Sequence, residues 1–252
     1  MIYIKYENEI KSMKNLMLYF SLQNFFLSLL TISTLVFSTS ATFADAKLDD
    51  ELSQAMKLEG NAEKGKEVFK LCIACHGANA WGMKDGTFPQ LSGQHRSVII
   101  KQIADIRAGN RDNPLMAPIA KESVMGGPQA ISDVAAYIAT LPMNPEPGHG
   151  KGGNDKKAEK LFYRKCSECH GADAGGDGEK FYPRIQGQHY EYLLRQIKWI
   201  REGKRRNANP NMVKRVKKMK MEDLELLVDY VSRMKPPKDK IAKPDWKNPD
   251  FE

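Results

Sequence analysis

The chain has 252 residues, 41% of them hydrophobic and 28% charged, with a formal net charge of +8. That balance excludes a disordered chain and a polytopic membrane protein, and four cysteines are too few for a disulfide-stapled scaffold. The basic excess leaves acidic proteins, anionic lipid surfaces or nucleic acid as candidate partners.

Residues 1–44 read as an export signal. Lys14 precedes the most apolar stretch of the chain, Asn15 to Phe43, and small residues lead up to Asp45, so that cleavage falls after Ala44 or Ala46. Met13 is a more usual signal start than Met1. An uncleaved anchor is the second reading, but Gln23 and Asn24 interrupt the stretch and the remaining run is short of the ~20 residues that span a bilayer.

Residues 45–143 make a first domain. A helix from Ala62 to Leu71 runs into Cys72-Ile73-Ala74-Cys75-His76, a C-x-x-C-H attachment site for a c-type haem. Two residues between the thiols let both sulfurs reach one porphyrin edge from a single helical turn, and the next residue, His76, is then aimed at the iron. Further on come Phe88-Pro89-Gln90-Leu91 and Gly93-Gln94-His95, then a helix from Val98 to Ala108 closed by Gly109. Asn113-Pro114-Leu115-Met116 follows, and a last helix from Ser132 to Leu141 carries Val134, Ile138 and Leu141 at helical spacing.

Residues 144–155 are a Gly- and Pro-rich linker. Residues 156–235 then repeat the first domain: a helix from Lys156 to Lys165, Cys166-Ser167-Glu168-Cys169-His170, Tyr182-Pro183-Arg184-Ile185, Gly187-Gln188-His189, a helix from Tyr190 to Glu202, Asn209-Pro210-Asn211-Met212, and a helix from Glu222 to Met234. The first cysteines, the Gly-Gln-His triplets, the pairs Gln102-Ile103 and Gln196-Ile197, and Gly109 and Gly203 are all 94 residues apart. A repeat of that length means tandem domains rather than a solenoid. Residues 236–252, with four prolines and mixed charge, read as an extended or disordered tail.

The two C-x-x-C-H motifs use all four cysteines. A thioredoxin-like pair, a four-cysteine zinc site and structural disulfides are the alternatives; each leaves the paired histidines as a double coincidence. A second axial ligand closes an electron-transfer haem, and methionine is the choice that raises its potential. Met116 and Met212 are the candidates, because they lie 40 and 42 residues after His76 and His170 in matching Asn-Pro-x-Met segments. Met83, Met125 and Met143 have no matched partner; Met219 and Met221 are rivals to Met212. His95 and His189 are matched too and are rival ligands, or else start the middle helix and touch solvent or a propionate. An iron-bound histidine usually donates its other N–H to a carbonyl, and Pro89 and Pro183 offer one in each domain, unless they mark ordinary turns.

With these pieces the chain resembles the cytochrome c4 family, periplasmic members of the class I cytochromes c. The resemblance covers Gly60 to Lys235 and rests on the two C-x-x-C-H-G sites, Gly-Gln-His, Gly109-Asn110-Arg111 and Asn-Pro-x-Met. It implies an all-α fold of two tandem class I cytochrome c domains, each built around a covalently bound haem c. The first and last helices of each domain would cross, and the two haems would exchange electrons across the interface. Gly65 and Tyr137 fit that crossing in the first domain; Ala158 and Tyr230 stand there in the second, where the extra methyl group should widen it.

Charge divides the mature chain. Asp45 to Gly148 carries 11 basic and 13 acidic residues, and His149 to Glu252 carries 25 against 16. Lys204-Arg205-Arg206, Lys214-Arg215, Lys217-Lys218 and Lys220 gather near Met212, which favours an acidic redox partner docking on the second domain, with weak attachment to a membrane surface as the alternative. Nucleic acid does not suit an exported haem protein, and no small-molecule substrate is expected. The resemblance implies a non-enzymatic one-electron carrier in a periplasmic respiratory chain, from a quinol-oxidising complex to a terminal oxidase. The alternative is the di-haem electron-accepting subunit of a dehydrogenase such as flavocytochrome c sulfide dehydrogenase. A di-haem peroxidase would need an open iron site, and a cysteine-ligated thiosulfate enzyme a fifth cysteine.

Overall fold

The computed structural model describes residues 50–251, which are helices and loops joined by three isolated bridges, with no sheet among them. The segment read as an export signal lies outside these residues. No helix of the described residues is long and apolar enough to cross a membrane.

Helix α1 covers 50–57, and α2 follows at Ala62–Phe69. Asn61 starts α2 by accepting the Lys64 N–H at 3.0 Å, and Asn154 does the same for Lys157 at the start of the matching helix α8, Asp155–Lys165. The C-x-x-C-H motifs form the single turns α3, Ile73–His76, and α9, Ser167–His170. The middle helices are α4, Arg96–Arg107, and α10, Tyr190–Arg201; Gly109 and Gly203, at φ +74° and +78°, close them in the left-handed conformation that suits glycine.

The first domain continues through two single turns, α5 at Ala117–Ala120 and α6 at Glu122–Met125, into α7, Pro128–Thr140. Helix α7 starts four residues before the expected Ser132, because Pro128 takes the first helical position. Ser132 is instead an interior residue whose hydroxyl donates to the Leu58 carbonyl at 3.0 Å. In the second domain α11, Pro210–Lys217, follows its Asn209 cap and leads to α12, Met221–Ser232. Periodicity missed α5 and α6, single turns too short to show a repeating apolar stripe, and also the eight-residue α1 and α11.

Phe69 packs with Ile99, Ile100 and Ile103 of α4 and with Ile131, Val134 and Ile138 of α7. Phe162, Leu193, Leu194, Leu227, Val228 and Val231 form the second core. Helices α2 and α7 cross at Gly65, where a Cβ would overlap the Asp133 carbonyl. Helices α8 and α12 meet with Ala158 at that place, buried as Gly65 is in the first domain.

Residues 236–251 run as a strap that finds partners on the first domain. Met143 N–H donates to the Lys240 carbonyl at 2.7 Å and Ala242 N–H to the Met143 carbonyl at 2.9 Å. Beyond them Trp246 packs on Trp81, and Phe251 on Phe69 and Tyr137.

Candidate haem-binding sites

Each candidate site is built by a short relay of backbone contacts that starts from the C-x-x-C-H turn. Gly82 N–H returns to the His76 carbonyl at 2.8 Å, and Gly176 N–H to the His170 carbonyl at 2.8 Å. Both glycines have positive φ, and a Cβ on either would strike the backbone of Phe88-Pro89 or Tyr182-Pro183. Their bareness therefore lets the proline segment approach the histidine. The Pro89 carbonyl accepts from His76 Nδ1 at 2.9 Å, and the Pro183 carbonyl from His170 Nδ1 at 3.0 Å. With Nδ1 committed, Nε2 is left as the free lone pair of each ring. Both histidines are buried, and that burial lowers their pKa and keeps the rings neutral, the form that binds metal.

No disulfide joins any of the four cysteines. Burial pushes Cys72 up to about 12 and Cys166 up to about 11, whereas a thioredoxin-like pair needs a depressed thiol. No three His, Cys, Asp or Glu side chains gather around one point among the described residues, so the four-cysteine zinc alternative lacks its geometry. Two thiols one helical turn apart beside a neutral, oriented imidazole are the donor set of a covalently attached haem, and the chain fits that group twice.

The Asn-Pro-x-Met segments are equivalent in space as well as in sequence. Met116 N–H donates to Asn113 Oδ1 at 3.2 Å, and Met212 N–H to Asn209 Oδ1 at 3.4 Å. Met116 packs against the first core, while Met212 packs with Ile200, Val216 and Leu224. Met125 and Met143 are buried packing residues and Met83 is exposed. Met219 and Met221 also touch the Met212 cluster.

The interface between the domains was not anticipated from these residues. His189 is fully buried; its Nε2 donates to the Trp81 carbonyl at 2.7 Å and its Nδ1 accepts from Gly148 N–H at 2.9 Å. Its counterpart His95 donates from Nε2 to the Gly175 carbonyl at 2.8 Å. Both histidines start the middle helices as expected, and each ring also reaches the loop behind the other domain's C-x-x-C-H turn. Gln188 exchanges two hydrogen bonds with the Gln90 backbone, at 3.0 and 2.8 Å, and Gln94 two with the Arg184 backbone, both at 2.9 Å. The 94-residue offset was the available signal: partners at the same offset exchange roles across a pseudo-twofold axis.

The His189 contacts set a pH dependence. Its ring accepts at Nδ1, so a second proton would displace the Gly148 N–H. Burial lowers its pKa from the ordinary 6.5, opposed by the Trp81 carbonyl and Asp85 and assisted by Lys84 and His149. The unfolded chain then binds a proton that the folded one refuses as pH falls below 6.5. Stability should therefore decline from that value downward, and His189→Gln should flatten the decline in pH-resolved thermal melts. An unchanged slope in the variant would remove His189 as its source.

The cytochrome c family profile matches residues 62–142 and again 156–235. Cytochrome c4 of Stutzerimonas stutzeri is 30% identical over 188 residues, which cover 68% of this chain and 88% of that protein. The thiosulfate dehydrogenase electron acceptor of Stutzerimonas stutzeri strain A1501 is 29% identical over 203 residues, covering 71% of this chain and 90% of that protein. The crystal structure of reduced recombinant cytochrome c4 from Pseudomonas stutzeri superposes with a TM-score of 0.62 at 28% identity, over 70% of this chain and 100% of that one. The doubled helical fold, the doubled haem donor set and these matches agree: the chain belongs to the cytochrome c4 family, electron-transfer proteins rather than enzymes, with two covalently bound haem c groups.

Proposed function

We propose that the protein is a periplasmic one-electron shuttle that takes electrons from a quinol-oxidising complex and delivers them to a terminal oxidase through an acidic partner surface. Cys72 and Cys75 hold the first haem and Cys166 and Cys169 the second. His76 with Met116, and His170 with Met212, would hold the two irons, and the carbonyls of Pro89 and Pro183 would orient the histidines. Bound iron supplies the one-electron couple. The chain's own residues fix the imidazole plane, and a thioether at each iron would deny it to small molecules. Polar contacts across the interface hold the domains in one arrangement, which keeps electron exchange between them intramolecular.

The observation that carries the docking reading is the seat of α11. Arg215 donates to the Lys165 carbonyl at 3.0 Å and pairs with Glu168 inside the second C-x-x-C-H turn. Lys214, Lys217, Lys218 and Lys220 are exposed beside it. Cations in that position accelerate encounter with an acidic partner and lose their effect as salt screens them. The double variant Lys214→Glu/Lys218→Glu should slow electron delivery to an acidic acceptor at least tenfold at low ionic strength and little at high, measured by stopped-flow reduction. A rate that ignores both charge and salt would reject this docking face.

A second reading has support in the 29% identical thiosulfate dehydrogenase electron acceptor: the chain would accept electrons from a dehydrogenase rather than from a quinol-oxidising complex. Reduction of the purified protein by a partner dehydrogenase and its substrate, faster than by a quinol-oxidising complex, would favour it.

A further inference from the structure

The two C-x-x-C-H turns run into loops of equal length that differ in what lies over them. Residues 77–82 follow His76 and residues 171–176 follow His170, at the same offset of 94. In the second loop Ala172 and Asp173 are exposed, and Asp173 Oδ1 accepts from Gly175 N–H of its own loop at 2.9 Å. In the first loop their counterparts, Ala78 and Asn79, are half-buried, because the strap crosses them. Asn248 N–H donates to Asn79 Oδ1 at 2.9 Å, and Asn248 Nδ2 donates to the Ala78 carbonyl at 2.7 Å. Trp246 packs on Trp81, 5.9 Å between ring centroids. The second loop has Gly175 in the place of Trp81 and offers no such ring.

The strap lies outside both repeats, yet it meets the first motif on both flanks. Phe251 packs on Phe69, whose carbonyl accepts the Cys72 N–H at 2.8 Å, and Asn248 holds the loop that follows His76. One open cavity is lined on one side by His76 and that loop and on the other by Lys247, Asn248 and Phe251. The strap therefore bounds the same space as the motif histidine. The shell around a metal site sets its access to water and its local dielectric, and through them its reduction potential. Ferric haem carries one positive charge more than ferrous haem, so a drier shell favours the reduced state.

We propose that the strap sets the potential of one haem only. Trp246 and Asn248 shut water away from the loop behind His76 and hold the first haem at a higher potential than the repeat alone would give it. The second haem, behind an uncovered loop, does not depend on the strap. Both side chains are positioning residues that act through residues 77–82. The proposal rests on the haem sites described above, and the repeat supplies its own control: the same loop without the cover.

The test uses the full two-haem chain, with haem counted by intact mass and pyridine haemochrome before any potential is measured. A chain with fewer than two haems would count against the haem sites themselves rather than against the strap. Nuclear Overhauser contacts from each haem to Cys72 or to Cys166 assign the two midpoint potentials to their domains. In Trp246→Ala, below its thermal transition, the first haem should move toward the ferric form by roughly threefold at fixed solution potential, or about 28 mV. Hydrogen exchange of residues 77–82 should quicken, and the second potential should stay in place. Trp246→Phe keeps an aromatic cover and should recover most of the shift. Asn248→Ser is the milder change and decides the matter if the alanine variant does not fold. Quicker exchange with an unchanged first potential would make the strap a structural tie alone and overturn the proposal. Equal shifts of both haems would overturn it too.

Discussion

Replacing Met116 by histidine is expected to lower the potential of the first haem by a few tenths of a volt, inside the ~0.8 V range that axial ligands command, and to erase one of two thioether-to-iron charge-transfer bands. The argument starts from position. Asn113 fixes the Met116 backbone as Asn209 fixes that of Met212, in domains related by a repeat. Two alternatives in the first domain are committed elsewhere, and Met83 is exposed: Met125 is 4% exposed in the core, and Met143 lies 2% exposed under Gly93, where a Cβ would collide with its sulfur at 2.5 Å. The exchange substitutes an imidazole that stabilises ferric iron for a thioether that stabilises ferrous iron, so the sign is fixed. The second haem should keep its band. In Met212→His the second band should vanish; its persistence would move the ligand to Met219 or Met221, whose side chains share the Met212 cluster. Near-infrared spectra of the ferric protein and potentiometry read both results.

The parts of this fold that were legible in the sequence are those whose chemistry is local. A C-x-x-C-H turn needs five consecutive residues, and the helices around it show an apolar stripe. The relation between the domains is different in kind. His189 and Trp81 are 108 residues apart, Gln94 and Arg184 are 90 apart, and each is an ordinary residue in a polar loop. Gly-Gln-His was visible as a repeated triplet, but its spacing fits a helix start equally well; only the fold shows that the helix start is aimed at the other domain. Position 90 and its counterpart 184 are a glutamine and an arginine, yet both reach the opposite glycine carbonyl, at 3.0 and 2.8 Å. Function there is preserved through reach and donor rather than identity, which motif reading does not register. Gly82 and Gly176 were silent for the opposite reason: their contribution is an absent side chain.

Removing residues 241–252 is expected to destabilise the first domain by about 3 kcal/mol and leave the second nearly unchanged. Composition pointed toward an extended or unstructured tail, because proline and mixed charge dominate it, and four side chains tie the extended chain down. Asn248 is 2% exposed, its amide donating to the Ala78 carbonyl at 2.7 Å and to the Tyr137 hydroxyl at 2.9 Å. Asp250 accepts from the same hydroxyl at 2.9 Å and pairs with Lys66 at 2.6 Å. Phe251 lies 5.8 Å from Phe69 and 6.1 Å from Tyr137, over the crossing of α2 and α7, and Trp246 lies 5.9 Å from Trp81. Deleting one fully buried Phe or Trp costs about 3–5 kcal/mol; these two are partly exposed, so together they account for roughly the lower figure, and the exposed ion pair adds little. For a domain of this size that is a fall in Tm of more than about 10 °C. The strap also touches the loop that follows His76, through Asn248 on Ala78 and Asn79. The chain therefore returns to the first domain after completing the second, and separating the two requires peeling the strap from Tyr137. Truncation should split one thermal transition into two, the earlier belonging to the first domain; a single unshifted transition would show that the contacts of Trp246, Asn248, Asp250 and Phe251 add no stability.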